Sequence, residues 1–295
     1  MPALQREFND DQIKYVASHP MYQWLLADID AGNVLPCLRR GEIHFYERGA
    51  RLISFSRGKF RTDAQYAKDV IPGGAGNKQV TLPDDLCESS FRLIVNAARS
   101  HRKAQPDSEL VAVHSLFPQF AVTRSVHSSK RLALIDVEVR FGRAETDPTT
   151  KASMIDLAFL LPDHRVLFVE AKCIGNPSII SRGEAPVVKQ VSVYERHIQR
   201  PGVLKAINRS LTVQSNLVGR PIEHAIRIIK TVPILILNPS MIPNPVTRDN
   251  NWLRQALRGA PDWTPGSTGV GIIDGTVEPI NAIHGFVSRF GSMTS

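Results

Sequence analysis

The sequence predicts an α/β fold in which a helix, three strands, two helices and a further strand build one mixed sheet. Three observations predict it. Residues 131–141 alternate, with Ala133, Ile135, Val137, Val139 and Phe141 on one face and Leu134, Asp136, Glu138 and Arg140 on the other, as a strand with one buried face does. Two apolar runs, 154–161 and 165–173, flank Pro162-Asp163-His164 and read as an antiparallel hairpin. Val187, Val191, Tyr194 and Ile198 then recur at helical spacing over 187–199.

The remaining elements follow in chain order. Asn9 caps a short helix from Asp10, Pro20 interrupts it, and residues 22–29 form a second helix. Residues 42–47 and 51–56 flank Arg48-Gly49-Ala50 as a hairpin rich in Ile, Phe and Tyr. The Pro- and Gly-rich stretch 71–77 breaks the pattern and sets a domain boundary, giving an accessory α+β region over 1–76 and a second domain over 77–295. In that domain Pro83-Asp84-Asp85 opens a helix to about residue 100, with Leu86, Ile94 and Ala97 in its apolar stripe. The meander of three strands and the helix at 187–199 come next. A second helix spans 203–217 and a short buried strand spans 232–237, closing a core over about 84–237. The extension 238–295 offers a short helix around 252–257 and a strand at 269–273.

Composition bounds the function. The chain has 295 residues, 42% of them hydrophobic, enough to fill a core and exclude a wholly disordered chain. Apolar runs such as 233–237 are too short to span a bilayer, and the first residues lack the apolar core of a signal peptide, so the expectation is a cytoplasmic protein. The three cysteines are scattered and predict neither a disulfide framework nor a zinc site. The 36 Lys and Arg against 28 Asp and Glu leave a formal charge of +8, which favours polyanionic partners, nucleic acid first. Most of the surplus lies in 81–220.

That middle segment also carries the chemistry. If Leu161 faces Arg165 across a three-residue loop, Asp156 lies directly opposite Glu170, and Lys172 shares a face with Glu170. Opposed carboxylates about 5 Å apart in an apolar hairpin are costly unless one is protonated or a cation sits between them. A hard divalent ion meets that need, since magnesium takes a few carboxylate oxygens and retains waters. Metal, water and lysine together suit phosphodiester hydrolysis. A buried salt bridge between Lys172 and one acid is the bland alternative.

Asp156, thirteen intervening residues, then Glu170-Ala171-Lys172 resembles the PD-(D/E)XK nuclease superfamily, as does the order of elements. Gln190 and Tyr194, four residues apart on the following helix, resemble the QxxxY motif of its RecB-type and lambda-exonuclease-like members. The resemblance spans roughly 84–237 and implies a restriction-endonuclease-like core. It implies that Asp156, Glu170 and the backbone carbonyl of Ala171 bind Mg2+, with Mn2+ able to substitute. Lys172 would be the catalytic lysine, and Gln190 and Tyr194 would support the site. Ile155 stands where the family's name has proline. An additional acid is expected on the first core helix, where Glu88 is the candidate by position, with Glu138 as a rival.

The implied activity is a DNA nuclease suited to restriction, phage defence or DNA repair, with room for a separate motor or defence-system subunit and for an oligomer. A non-catalytic nucleic-acid-binding or assembly subunit and an RNA-directed nuclease are the alternatives. Arg48, Arg51, Arg57, Lys59 and Arg61 around the N-terminal hairpin read either as a DNA-contacting arm or as a solvated edge protected by charge.

Overall fold

A computed structural model describes residues 8–39, 41–47, 50–71, 78–103, 113, 120–124, 132–141, 153–173, 186–237 and 270–273. The protein is mixed α/β, with a five-stranded antiparallel sheet and a six-stranded mixed sheet. Backbone contacts divide it into two compact units that do not follow the linker at 71–77. The first unit contains the described residues up to 136 together with 204–225, and the second contains 137–203 and the described residues from 226 onward.

The first unit begins with α1 (Asp10–Ser18). Its Asn9 cap is completed by Gln12, whose side chain accepts from the Asn9 N–H while Asn9 accepts from backbone N–H groups of the first turn. Pro20 does not merely interrupt. It occupies the first turn of α2 (Pro20–Asp30), where its missing N–H costs nothing. The expected hairpin is present as β2 (Glu42–Glu47) and β3 (Ala50–Ser56), but it is the middle of a larger sheet. The sheet adds β1 (Leu35–Arg39), β4 (Lys59–Asp63) and β5 (Gln79–Thr81), in the order β1-β2-β3-β4-β5. Pro36 is tolerated because β1 is an edge strand. The Pro36 carbonyl still finds a donor in Gln214, which also donates to the Ile135 carbonyl.

A short helix, α3 (Ala64–Ala67), follows β4. The next helix, α4 (Glu88–Lys103), starts later than Pro83-Asp84-Asp85 predicts, because that segment forms a turn closed by Leu86 N–H on the Pro83 carbonyl. Leu86 therefore precedes the helix, and the buried stripe is Phe91, Ile94, Val95 and Ala98. These side chains join Ile13, Leu25, Phe45, Phe55 and Phe60 in one core. The helix expected to open the second domain thus packs with the N-terminal elements.

The second sheet has the order β11-β10-β8-β7-β6, with β9 also paired to β8. Its strands are β6 (Ala133–Phe141), β7 (Ser153–Leu160), β8 (Arg165–Cys173), β9 (Arg227–Ile228), β10 (Ile234–Leu237) and β11 (Val270–Ile273). The single buried face expected of β6 is corrected: Leu134 and Asp136 are buried as well, and Glu138 takes a positive φ of 48° that breaks the alternation. Helix α5 (Pro186–Ile198) buries Val187, Val191, Tyr194 and Ile198, as their spacing predicts. Helix α6 (Val203–Val218) follows. Residues 252–257 lie outside the described residues.

The β7–β8 register is the feature that positions the site. Leu157 pairs with Val169 and Leu160 with Val166, the pairing a three-residue loop requires. His164 closes that loop in the left-handed region at φ 62°, with its N–H on the Leu161 carbonyl. On its other side β8 pairs in parallel with β10, with Ile234 beside Glu170 and Ile236 beside Lys172. Glu170 and Lys172 therefore sit on a strand hydrogen-bonded on both edges.

Phe45 is fully buried and Leu93 is 58% exposed. Phe45→Ala is expected to lower the unfolding free energy by about 3–5 kcal/mol in a urea titration. Leu93→Ala should stay within about 0.5 kcal/mol of wild type.

Candidate active site

The six residues of the sequence pattern belong to one unit. Strand β7 supplies Asp156, β8 supplies Glu170, Ala171 and Lys172, and α5 supplies Gln190 and Tyr194. Continuing the ladder by one pair beyond Leu157 and Val169 sets Asp156 opposite Glu170. The Asp156 carboxylate accepts the Ala171 N–H at 2.8 Å through Oδ2, which locks it against the neighbouring strand.

The Lys172 ammonium gathers the site. Nζ lies 2.6 Å from Glu170 Oε1 and 3.6 Å from Asp156 Oδ2, and it donates to the Ala171 carbonyl at 2.8 Å. Glu170 is wholly buried and Lys172 nearly so. Charges this deep in protein are rare without partners, and here one cation serves two acids and a carbonyl. Glu170 Oε2 has no hydrogen-bond partner among the described residues.

Burial, reinforced by the charge of Asp156, pushes the Glu170 carboxyl up to about 9 despite the opposing pull of Lys172. Burial and the nearby Glu170 carboxylate also raise the Tyr194 phenol well above its ordinary value. That coupling puts Tyr194 within electrostatic reach of the acids. Gln190 Nε2 donates to the Tyr194 hydroxyl oxygen, so the i, i+4 pair meets on one helix face.

The donor set fits a hard divalent cation. Asp156, Glu170 and the Ala171 carbonyl offer only oxygen, and one Glu170 oxygen is unmatched. A monovalent ammonium already stands among the three donors as a stand-in cation. Among the described residues no group of three or more His, Cys, Asp or Glu side chains converges to hold a metal. Two carboxylates and a carbonyl leave coordination positions for water, as magnesium prefers.

The other sequence candidates are placed as follows. Glu88, in the first turn of α4, belongs to the other unit and pairs with Arg92 at 3.3 Å. Glu138 is half-buried on β6 at its positive-φ position. His197, one turn beyond Tyr194, is fully buried against Phe141, with ring centroids 5.6 Å apart, and burial lowers it to about 4, as in a neutral core histidine. Arg51 is neutralised by Asp63 at 2.9 Å, Arg57 and Lys59 are exposed, and Arg61 is half-buried. Arg48 lies outside the described residues.

Sequence reading missed Glu195. Its Oε1 accepts the Val232 N–H at 3.1 Å, and the next residue, Pro233, accepts the Glu170 N–H at 3.0 Å through its carbonyl. Glu195 therefore ties α5 to the segment that flanks Glu170. No sequence signal marks it, since a helix glutamate is ordinarily solvated.

Compared with known proteins, the chain matches no family model, no curated protein and no solved structure.

Glu170 keeps its proton up to about pH 9, whereas the unfolded carboxyl releases it near 4.5. The folded state binds the extra proton between those values. Its stabilisation is complete below about pH 4.5 and is lost as pH rises towards 9. Thermal melts in EDTA should show Tm falling across that window in wild type and a smaller fall in Glu170→Gln. Identical slopes for the two proteins would contradict this assignment.

Proposed function

We propose that the protein is a Mg2+-dependent nuclease of the PD-(D/E)XK type that hydrolyses phosphodiester bonds of DNA. The observation that carries this reading is the convergence of Asp156, Glu170 and the Ala171 carbonyl on the Lys172 ammonium, all within 3.6 Å of it. Further support comes from Tyr194 and Gln190 on the helix that follows β8, and from the parallel strand β10 beside β8. The β7–β8–α5–β10 portion supports a restriction-endonuclease-like core, although α4 packs its apolar stripe in the other unit.

In this reading Asp156, Glu170 and the Ala171 carbonyl would hold Mg2+, and Mn2+ would suit the same oxygens. The bound metal would supply charge neutralisation at the phosphate and a more acidic water. The chain's own groups do the rest. Glu170 must give up its proton to become a full ligand, because its carboxyl is otherwise held neutral by burial. Lys172 donates N–H from Nζ, and release from the two acids frees it to meet a phosphate oxygen or the attacking water. Tyr194 stays protonated at neutral pH, so it acts as a hydroxyl donor and not as a base. Its hydroxyl oxygen is oriented by Gln190. Asp156, fixed by the Ala171 N–H, keeps the donor set rigid, which limits reorganisation as charge develops.

Digestion of circular, linear and single-stranded DNA and of RNA with Mg2+ tests the reading. Wild type is expected to cut DNA, and Asp156→Ala and Lys172→Ala should each lose about 100-fold or more in rate. Equal cutting by all three proteins would sink the mechanism. Cutting confined to RNA would reassign the substrate, and tight binding without cutting would favour a non-catalytic subunit. Tyr194→Phe keeps the ring in the core and removes the hydroxyl. It should slow cleavage while leaving Tm close to wild type.

A further inference from the structure

The five-stranded sheet carries basic residues that the hydrolytic site does not use, and they fall into two sets. Arg39 is buried against Asp136 at 2.8 Å, and Arg51 is held by Asp63 at 2.9 Å. Arg57, Lys59 and Arg61 have no acidic partner among the described residues. The acids closest in the sheet pattern are already engaged, Asp63 by Arg51 and Glu42 by His44 at 2.7 Å. Burial alternates along β4, with Phe60 and Thr62 in the core and Lys59 and Arg61 on the opposite face. Two residues apart on a strand, those cations are about 6.6 Å apart along the backbone.

Two further observations point to an absent anionic partner. Arg61 Nε is shut off from solvent and has no hydrogen-bond acceptor among the described residues. A desolvated N–H of a charged group is costly to leave unmatched, and a phosphate meeting the rest of this half-buried side chain would offset its charge. Arg57 occupies the first central position of the β3–β4 turn at φ 51°, with Gly58 at φ 76° behind it and Ser56 paired with Lys59. Both central residues at positive φ define a type I′ turn, where Asn-Gly is the favoured pair. An arginine there is strained, so the position trades local conformational preference for a cation at the exposed tip.

We infer that the β3–β4 hairpin is a nucleic-acid docking surface in which Arg57, Lys59 and Arg61 contact consecutive phosphates of a sugar–phosphate backbone. The contacts carry no base information, so this surface holds and registers the polymer without reading its sequence. The inference shares with the proposed function only the premise of a nucleic-acid partner, and it stands whether or not the second unit cleaves.

The test is equilibrium binding of fluorescent duplex DNA, single-stranded DNA and RNA to the full chain in EDTA, across a salt series. The variant R57N/K59T/R61T removes all three charges while supplying a favoured turn pair and strand-forming residues. Its Tm is therefore expected to match or exceed wild type. Its binding should weaken about tenfold or more at moderate salt, and the slope of log K against log salt should flatten by about 2–3. R61T alone should flatten it by about 1. K68T, which removes an exposed lysine outside the sheet, should leave it unchanged. An unchanged slope in the folded triple variant overturns the inference, and so does a K68T shift equal to that of R61T. Because EDTA excludes metal-dependent cleavage, a failed digestion with an intact slope change would refute the nuclease reading alone. The converse pair of results would refute the docking surface alone.

Discussion

One constraint organises the second unit: two carboxylates face each other across the β7–β8 hairpin, and one of them, Glu170, lies too deep in protein to be left uncompensated. The chain meets it with a single ammonium. Lys172 is shared between Glu170, Asp156 and the Ala171 carbonyl, and Glu170 retains its proton because one cation does not fully offset two anions and burial together. Neighbouring features follow from this. Asp156 takes a backbone N–H, Tyr194 is kept neutral, and Glu195 braces the segment beside Glu170. The site is therefore neutralised internally, by one ammonium and one retained proton.

The two units solve their electrostatics differently. In the first, most sheet and helix arginines are spent on acids. Arg99 holds Glu47 and Asp28, Arg39 holds Asp136, and Arg220 holds Asp30. Those pairs tie helix to strand, helix to helix, strand to strand, and the segment after α6 to α2. The turn that joins β3 and β4 departs from the pattern and presents its cations outward. A surplus of +8 over the whole chain thus says less than its distribution does. What matters is which cations have no carboxylate.

The register of the second-unit hairpin was legible in sequence to the residue, because a loop of fixed length and a strict period of two leave one register. Helix α5 was legible because its four apolar positions all serve one core. The first unit was legible only in part. Strand β1 contains Pro36 and depends on Gln214, far along the chain, to satisfy a carbonyl. Strand β4 reads Lys-Phe-Arg-Thr-Asp, too short and too charged to stand out, and β5 has three residues. The start of α4 was misplaced because Pro83-Asp84-Asp85 suits a turn as well as a helix start. Its packing partners could not be read at all, since an apolar stripe announces burial without naming the surface that covers it. At the site, the opposed acids and the lysine were readable from spacing. The sharing of the ammonium and the bracing by Glu195 were not, because both depend on contacts made across elements.

The three-residue loop 162–164 has a consequence for how this chain tolerates change. It lies about 20 Å along the strand from Asp156 and touches none of the reactive groups. Yet it acts as the ruler of the site. Inserting or deleting a single residue there would turn Asp156 to the opposite face of the sheet from Glu170, or slide it out of step, while leaving every side chain of the pocket chemically intact. Length, and not composition, is the heritable quantity in that loop. A substitution at Pro162 or Asp163 is a local matter, whereas an indel there is equivalent to removing a carboxylate from the pocket.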